Sequence, residues 1–369
     1  MDWRRFGFIF LIIIIVFGVV VVIGDVKSSP IVIIASMLAT TIAFATPLTL
    51  GALSGVFCER SGVVNIGIEG MMLSSAFFGW LGAIYMYHVF GFSTDISVWA
   101  GMFFAVLCGM LMGLLLAVLS ITFKVDQIIG GTVINILAVG LTGFLNRQLF
   151  FGKGSVFEGT VPNSPGVLPT IHLPIVETFG SICNSAGCLQ VLTSLNKIFD
   201  QKPIALSAII LVFISHYILF YTRWGLRTRS VGEHPKAADT VGINVFKTRY
   251  ISVLIGGSLA GLAGAYFTIE SVPSFEPLLT NGRGFIALAA MIFGNWTPIG
   301  AWTAALVFGA SQALNINMQI FRDVIPPGLA FLRQSYVVGL LPYILTMVIL
   351  TGVIGKTTPP AADGVPYEK

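Results

Sequence analysis

Long apolar runs recur along almost the whole 369-residue chain, and they restrict the fold more than any other feature. Most are about 17–25 residues long, the length that an α-helix needs to cross a bilayer. We count about ten such runs: 6–24, 31–57, 64–90, 97–121, 127–150, 203–221, 250–270, 284–296, 299–320 and 336–355. Because the eighth run is short and interrupted by glycine, nine and ten spans both fit. The sequence therefore predicts an all-α integral membrane protein, with residues 1–369 in a single transmembrane domain.

The charge content agrees with this class. Charged residues make up 10% of the chain, whereas soluble domains have about 25%. A ten-span arrangement places the basic connections on one side: Arg4 and Arg5, Arg60, Lys124, residues 222–249 and Lys356. Because Lys and Arg favour the cytoplasmic side, we expect both termini there, including a cytoplasmic tail at 356–369. The net charge of +4 does not indicate a nucleic-acid partner.

The first apolar run also has features of a signal peptide, with two arginines before an apolar core. It lacks a small-x-small cleavage site, so we expect it to remain as an uncleaved helix.

The polar segment 222–249 separates two apolar runs and contains the signals of a short helix. Gly232 allows a turn, Glu233 suits a helix N-terminus and Pro235 suits a first turn. Two alanines follow, and Gly242 can end the helix. Such a helix cannot be buried in lipid. We therefore expect it on the membrane surface, where another protein can dock.

The segment 151–202 is predicted to be an external loop. Its proline and glycine content indicates irregular structure, and loops of this length are often functional. A lid or docking ledge over the external mouth and a passive connector both fit. Cys183 and Cys188 lie in this loop and form a disulfide in an oxidising compartment, or remain free thiols.

Glu69 is the most unusual residue within the apolar runs. Asn65 precedes it by four residues, which predicts that both lie on one helix face. A carboxylate at this depth costs about 2.5–3.5 kcal/mol, so it must meet a partner, a cavity or water. Glu69 either caps backbone amides of a broken helix or contacts the solute or a gate directly.

Buried amides accompany Glu69 in the apolar runs. Asn135 begins the fifth span, and Gln312 and Asn315 lie towards the end of the ninth. Amides suit uncharged, hydroxyl-rich solutes because each offers both a donor and an acceptor. With Asn65 and Glu69 they form our predicted substrate pathway. Hydrogen bonds between helices explain each amide equally well.

A weak repeat relates the third span to the eighth, with Gly79 and Trp80 set against Gly294 to Trp296. Five spans separate the two copies, so they cross in opposite directions. This arrangement is typical of transporters whose pathway lies between two inverted halves.

Sequence motifs of catalysis are absent from the chain. It has no G-x-x-x-x-G-K-[ST], H-E-x-x-H or G-x-S-x-G motif, and its cysteines and histidines lack metal-ligand spacing. We therefore expect no enzyme activity, no metal and no cofactor on this chain.

Three motifs together resemble the permease subunits of ABC importers: TPLTLGALSGVFCERSGVVNIGIEGMML, RSVGEHPKAADTVGINVFKTRYISVLIGGSLAGLAGAY and GRGFIALAAMIFGNW. The chain is most similar to the branch that includes branched-chain amino acid, ribose, simple-sugar and nucleoside permeases. Within it, the first motif is most similar to nucleoside and simple-sugar members. The resemblance implies a permease of a bacterial inner membrane that imports such a solute.

The resemblance also implies partners. Two permeases, identical or different, would assemble with two ATPase subunits that bind ATP and Mg²⁺, and an external solute-binding protein would deliver the solute. The residues at the positions that seat in the ATPase are Gly232, Glu233, Pro235, Ala237, Ala238, Asp239 and Gly242. His234 stands where such permeases often have Asn. The alternative is a self-powered secondary transporter or channel that uses Glu69 to carry a proton or ion.

Overall fold

A computed structural model of the chain describes residues 30–151, 157, 163–172, 192–193, 196, 198–320, 334, 339–340 and 357–368. The predicted first span, most of the tenth span and most of the 151–202 loop lie outside these residues. Cys183 and Cys188 are therefore also outside the described part of the chain.

The described residues fold into α-helices, with two isolated β-bridges at Asn163–Ser274 and Ile171–Gln201. This confirms the all-α class. The helices are α1 (Pro30–Glu59), α2 (Ile68–His88), α3 (Thr94–Ala117), α4 (Gln127–Asn146), α5 (Pro203–Tyr221), α6 (Arg223–Glu233), α7 (Pro235–Thr240), α8 (Val245–Ala265), α9 (Arg283–Phe293) and α10 (Pro298–Ile320). Short π-helical segments extend α3, α4 and α8 to Thr122, Phe151 and Ser271.

Six helical stretches within the described residues are long and apolar enough to cross a membrane: Ile34–Glu59, Thr94–Thr122, Gln127–Phe151, Pro203–Tyr221, Val245–Ser271 and Pro298–Asn317. Helix α9 is apolar but has only 11 residues, as its short sequence predicts. Helix α2 is present but is not one of the six. The described helices thus support a multi-pass membrane protein, whereas the count of ten spans is not confirmed.

The chain divides into two compact units. The larger contains residues 47–168, 207–302 and 357–369, and the smaller contains 1–46, 169–206 and 303–356. Helices α2, α3, α4 and α8 pack together within the larger unit.

Glycines set the closest helix contacts of the larger unit. A Cβ added to Gly109 on α3 would lie 2.5 Å from the Cα of Gly261 on α8, and one added to Gly257 would lie 3.0 Å from the Cα of Gly113. Both separations are too short for a side chain, so the helix backbones touch. The glycines are spaced four apart on each helix, Gly109 with Gly113 and Gly257 with Gly261, a pattern that lets membrane helices approach closely.

Helix α9 lies beside the second half of α1, and the two run in the same direction. Gly51 of α1 faces Ala287, and Gly55, one turn later, faces Met291. The C-terminal ends of α1 and α9 therefore lie at the same end of the unit, and a non-helical segment follows each helix there.

Candidate functional site

Two helix breaks contact each other at one end of the larger unit. The first break, residues 60–67, separates α1 from α2, and the second, residues 294–297, separates α9 from α10. The Nε atom of Arg60 donates to the carbonyl oxygen of Trp296 at 2.8 Å, and its Nη2 atom donates to that of Asn295 at 3.2 Å. The indole nitrogen of Trp296 donates to Glu59 at 2.5 Å.

The second break has strained backbone. Asn295 and Trp296 both have a φ of 52°, in the left-handed region that residues other than glycine rarely adopt. Each such residue costs about 1–3 kcal/mol and persists only where its surroundings hold it in place. The Arg60 and Glu59 hydrogen bonds do so here, so the two breaks are held as one element.

Glu69 lies in the first turn of α2 and caps the start of α9. Its Oε1 atom accepts hydrogen bonds from the Thr280 hydroxyl at 2.6 Å and the Gly282 amide at 2.8 Å. Its Oε2 atom accepts one from the Gly284 amide at 2.6 Å. The first amides of a helix have no partner within the helix and carry a partial positive charge, so a carboxylate stabilises them.

Glycine is required where α9 meets Glu69. A Cβ added to Gly284 would lie 2.5 Å from the Cα of Glu69, and Gly282 has a φ of 78°. The geometry matches the capping interpretation of Glu69. Direct contact of Glu69 with a solute stays a prediction.

The polar residues Asn65 and Glu69 do not share a helix face, contrary to the sequence-based expectation. Helix α2 begins at Ile68, because the backbone before it bonds to α4 instead of continuing a helix. The Val64 amide donates to Gln127 at 2.6 Å, and the Ile66 carbonyl accepts from Asn135 at 3.1 Å. Gly62, with a φ of 84°, permits the turn that leads into this segment.

The predicted pathway amides have different surroundings. Asn135 also accepts from the Gly70 amide at 2.8 Å, so it holds the first break against α4. Asn65 is fully buried, and its Oδ1 atom has no hydrogen-bond partner among the described residues. Gln312 and Asn315 are half-buried on α10, within the smaller unit. Gln127 is not among the predicted pathway residues, although it is a polar residue of the same apolar run as Asn135, eight residues before it.

The predicted short helix in the 222–249 segment is present as α7. Pro235 is its first residue, and Gly242 ends the turn after it with a φ of 83°. Gly232 and Glu233 differ from expectation because they are the last residues of α6. Gly232 is needed for packing, since a side chain there would overlap the carbonyl oxygen of Arg60.

Helices α6 and α7 border an open groove of about 710 Å³. Its lining combines basic, polar and apolar residues: Arg223, Leu226, Arg227, Ser230, Glu233, His234, Ala237, Ala238, Val241 and Ile243. Val241 is 75% exposed, whereas Ala238 is 4% exposed and packs against the body of the protein. The residues predicted to seat in the ATPase therefore face in two directions, with Ala237 outward and Ala238 inward.

A polar cluster lies beneath these helices. The Nε atom of buried Arg249 donates to the carbonyl oxygen of Ser61 at 3.2 Å, and Asp363 lies beside Glu59 and Arg249. Burial raises the pKa of Asp363 from 3.8 to about 7. Three interactions lower this pKa but offset the burial only in part: the hydrogen bonds with Glu59 and with the Gly364 amide, and the charge of Arg249.

The raised pKa of Asp363 predicts that the protein is more stable at low pH. The folded state retains this proton up to about pH 7, whereas the unfolded chain releases it near pH 4. The contribution of Asp363 to stability is therefore largest below pH 4 and is lost as the pH rises towards 7. Melting temperatures of the purified protein at pH 5, 6, 7 and 8 are expected to fall across this range.

The variant Asp363→Asn should have a flatter profile because it has no charge to bury. Asp95→Asn changes an exposed aspartate at the start of α3 and should keep the wild-type profile. An unchanged pH dependence in Asp363→Asn would contradict the assignment.

Comparisons with known proteins match most of the chain. Residues 37–353 match the family described as "Branched-chain amino acid transport system / permease component". The guanosine ABC transporter permease protein NupQ of Bacillus subtilis is 41% identical, over 91% of this chain and 98% of its own length. The nucleoside ABC transporter permease protein NupC of Lactococcus lactis is 36% identical, over 92% and 97%. A putative glucose ABC transporter permease protein of Haloferax volcanii is 31% identical, over 88% and 93%.

Proposed function

Because this chain belongs to the family of branched-chain amino acid transport system permease components, we propose that it is the permease of a nucleoside importer. Permease subunits of ABC transporters do not catalyse ATP hydrolysis themselves, since that activity lies in a separate subunit. The nucleoside assignment is carried by the guanosine and nucleoside permeases, which match more than nine-tenths of this chain. A simple sugar is the alternative cargo, supported by the 31% identity to the putative glucose permease.

The groove beside α6 and α7 is our proposed seat for the ATPase. It is open, and it combines Arg223 and Arg227 with apolar Leu226 and Val241. It also lies beside α7, whose start is set by Pro235. In this proposal Ala237, Val241 and Gly242 face the ATPase. Buried Ala238 positions α7 on the permease.

The solute pathway is proposed to pass the first helix break. Support comes from Asn65, whose buried Oδ1 atom has no partner among the described residues, and from Gln127, whose Nε2 atom is likewise unpaired there. In this proposal a ribose hydroxyl or a base edge bonds to these atoms, since one is an acceptor and the other a donor. In this proposal Glu69 and Asn135 hold the walls of the pathway. A role in solute binding for Gln312 and Asn315, which lie in the smaller unit, stays a sequence-based prediction.

The complete importer is proposed to contain two ATPase subunits with bound ATP and Mg²⁺, a second permease and an external solute-binding protein. In this arrangement the basic connections at Arg60, Lys124 and 222–249 face the cytoplasm, together with both termini. Their contacts with one another support a common side: Arg60 touches α6 at Gly232, and Lys124 pairs with Glu368 of the tail at 2.9 Å.

The variant Val241→Glu tests this proposal. A carboxylate on this lining residue of the groove would have to be desolvated at the ATPase interface. ATP-driven uptake of labelled guanosine should therefore fall at least about tenfold, the effect of 1.4 kcal/mol. Uptake is measured in cells that express the complete transporter. Parallel assays with ribose decide between nucleoside and sugar.

The matched control is Val89→Glu, which makes the same change at an exposed valine directly after the C-terminal end of α2. It should retain uptake. Wild-type uptake by Val241→Glu would exclude the groove as the ATPase site. Uptake by wild-type protein without any ATPase subunit would favour the self-powered carrier.

A further inference from the structure

The tail, residues 357–368, is bound along the end of the larger unit that carries the helix breaks. Its main chain forms specific hydrogen bonds there. The Thr358 amide donates to the Asn295 side chain at 3.0 Å, and the Ala362 amide donates to the carbonyl oxygen of Gly232 at 2.9 Å. Further along the tail, the Val365 carbonyl oxygen accepts from Arg249 at 3.0 Å.

Tyr367 anchors the end of the tail beneath α7. Its side chain is 6% exposed and belongs to an apolar cluster with Val231 of α6, Ala238 of α7 and Val245 of α8. Its hydroxyl group is hydrogen-bonded to Asp239 of α7. The end of the tail thus contacts α6, α7 and α8 together.

The same segment also touches the first helix break. The carbonyl oxygen of Ala362 lies 3.0 Å from the position of a Cβ on Gly62, and Gly364 lies against the side chain of Val64. Through Thr358 the tail reaches the second break as well. Ala361, between these contacts, donates to Glu233 at the end of α6 at 3.2 Å.

We propose that the tail carries motion from α6 and α7 to the two helix breaks, with Tyr367 as the positioning residue that keeps α7 attached. This inference rests on the proposed function, in which the ATPase moves α6 and α7. Coupling between distant sites requires a continuous set of contacts that shift together. The tail supplies one, since its hydrogen bonds join Gly232 and Glu233 to Asn295 within five residues, 358–362.

The chemistry of the tail suits this role. Three prolines, at 359, 360 and 366, restrict its backbone, so it resists bending more than a glycine-serine segment would. Four main-chain hydrogen bonds join the tail to the rest of the unit, to Asn295 at the second break, to Gly232 and Glu233 of α6, and to Arg249 of α8. A displacement of α6 therefore moves the tail and the Asn295 side chain together.

Tyr367→Ala in the complete transporter tests the proposal. We expect the complex with the ATPase to form and to hydrolyse ATP, while the number of guanosine molecules taken up per ATP falls about fivefold or more, the lower range of coupling between sites. The control is Val365→Ala, which shortens an exposed tail side chain and keeps the main-chain bond to Arg249. The control should keep the wild-type ratio.

Labelling at Ala238→Cys reports tail release independently of transport. In a chain whose four native cysteines are replaced by serine, this buried position should react with a maleimide only after Tyr367→Ala. If Tyr367→Ala leaves it protected, a chain that ends at Lys356 provides the same comparison with the tail removed.

If the tail is released in the variant and the ratio of uptake to ATP hydrolysis stays unchanged, the proposal is wrong. The same holds if Tyr367→Ala lowers the melting temperature and leaves this ratio unchanged. No ATP-dependent uptake by the wild-type transporter would overturn the proposed function and this inference together. Uptake by the wild type with a lowered ratio in Tyr367→Ala supports both.

Discussion

Replacing Glu69 with alanine is expected to abolish uptake while the protein still inserts into the membrane. The change removes the acceptor of three hydrogen bonds, from the Thr280 hydroxyl and the amides of Gly282 and Gly284. Each buried donor left without an acceptor costs about 1–3 kcal/mol. The start of α9 would then lose its fixed position beside α2.

A graded comparison separates capping from other roles of Glu69. In Glu69→Gln, one oxygen can still accept from Thr280 and Gly282, whereas the new NH₂ group faces the Gly284 amide, which is itself a donor. We therefore expect an intermediate loss of uptake. Glu276→Gln changes an exposed carboxylate in the segment before α9 and should have wild-type uptake.

Uptake is measured as initial rate per amount of protein in the membrane, so that expression differences do not enter. Equal loss in Glu69→Gln and Glu69→Ala would indicate that the charge itself is required, as in a proton carrier. Wild-type rates in Glu69→Ala would show that α9 does not need this cap.

Gly109→Ala is expected to weaken the packing of α3 against α8. The added methyl group would lie 2.5 Å from the Cα of Gly261, and backbone cannot move aside as a flexible side chain can. Overpacking of this kind typically costs about 1–3 kcal/mol. The melting temperature in detergent should fall, and uptake should fall with it.

Gly140→Ala is the matched control. It makes the same substitution in another apolar helix, α4, where nothing lies within 4 Å of the added Cβ. Alanine favours helix over glycine by about 1 kcal/mol, so this variant should be as stable as wild type or slightly more so. An equal fall in both variants would mean that the α3–α8 contact tolerates a methyl group.

Much of the candidate site was visible in the sequence because local chemistry dictates it. Pro235 and Gly242 mark the ends of α7, since proline fixes φ at a helix start and glycine permits a positive φ. The shortness of α9 follows from the polar and glycine residues that flank it. The choice between capping and other roles for Glu69 was not visible, because its partners lie more than 200 residues away.

By itself the sequence determined the class of the protein, its family and the short helix α7. These follow from the hydropathy of each segment and from local backbone preferences, which need no distant partner. Only the tertiary structure decided the start of α2 at Ile68, the inward direction of Ala238 and the binding of the tail across both breaks. The physical reason is that these features depend on which distant donor meets which acceptor. Asn135, Asn295 and Arg249 can each bond in several ways, and only the folded chain selects one.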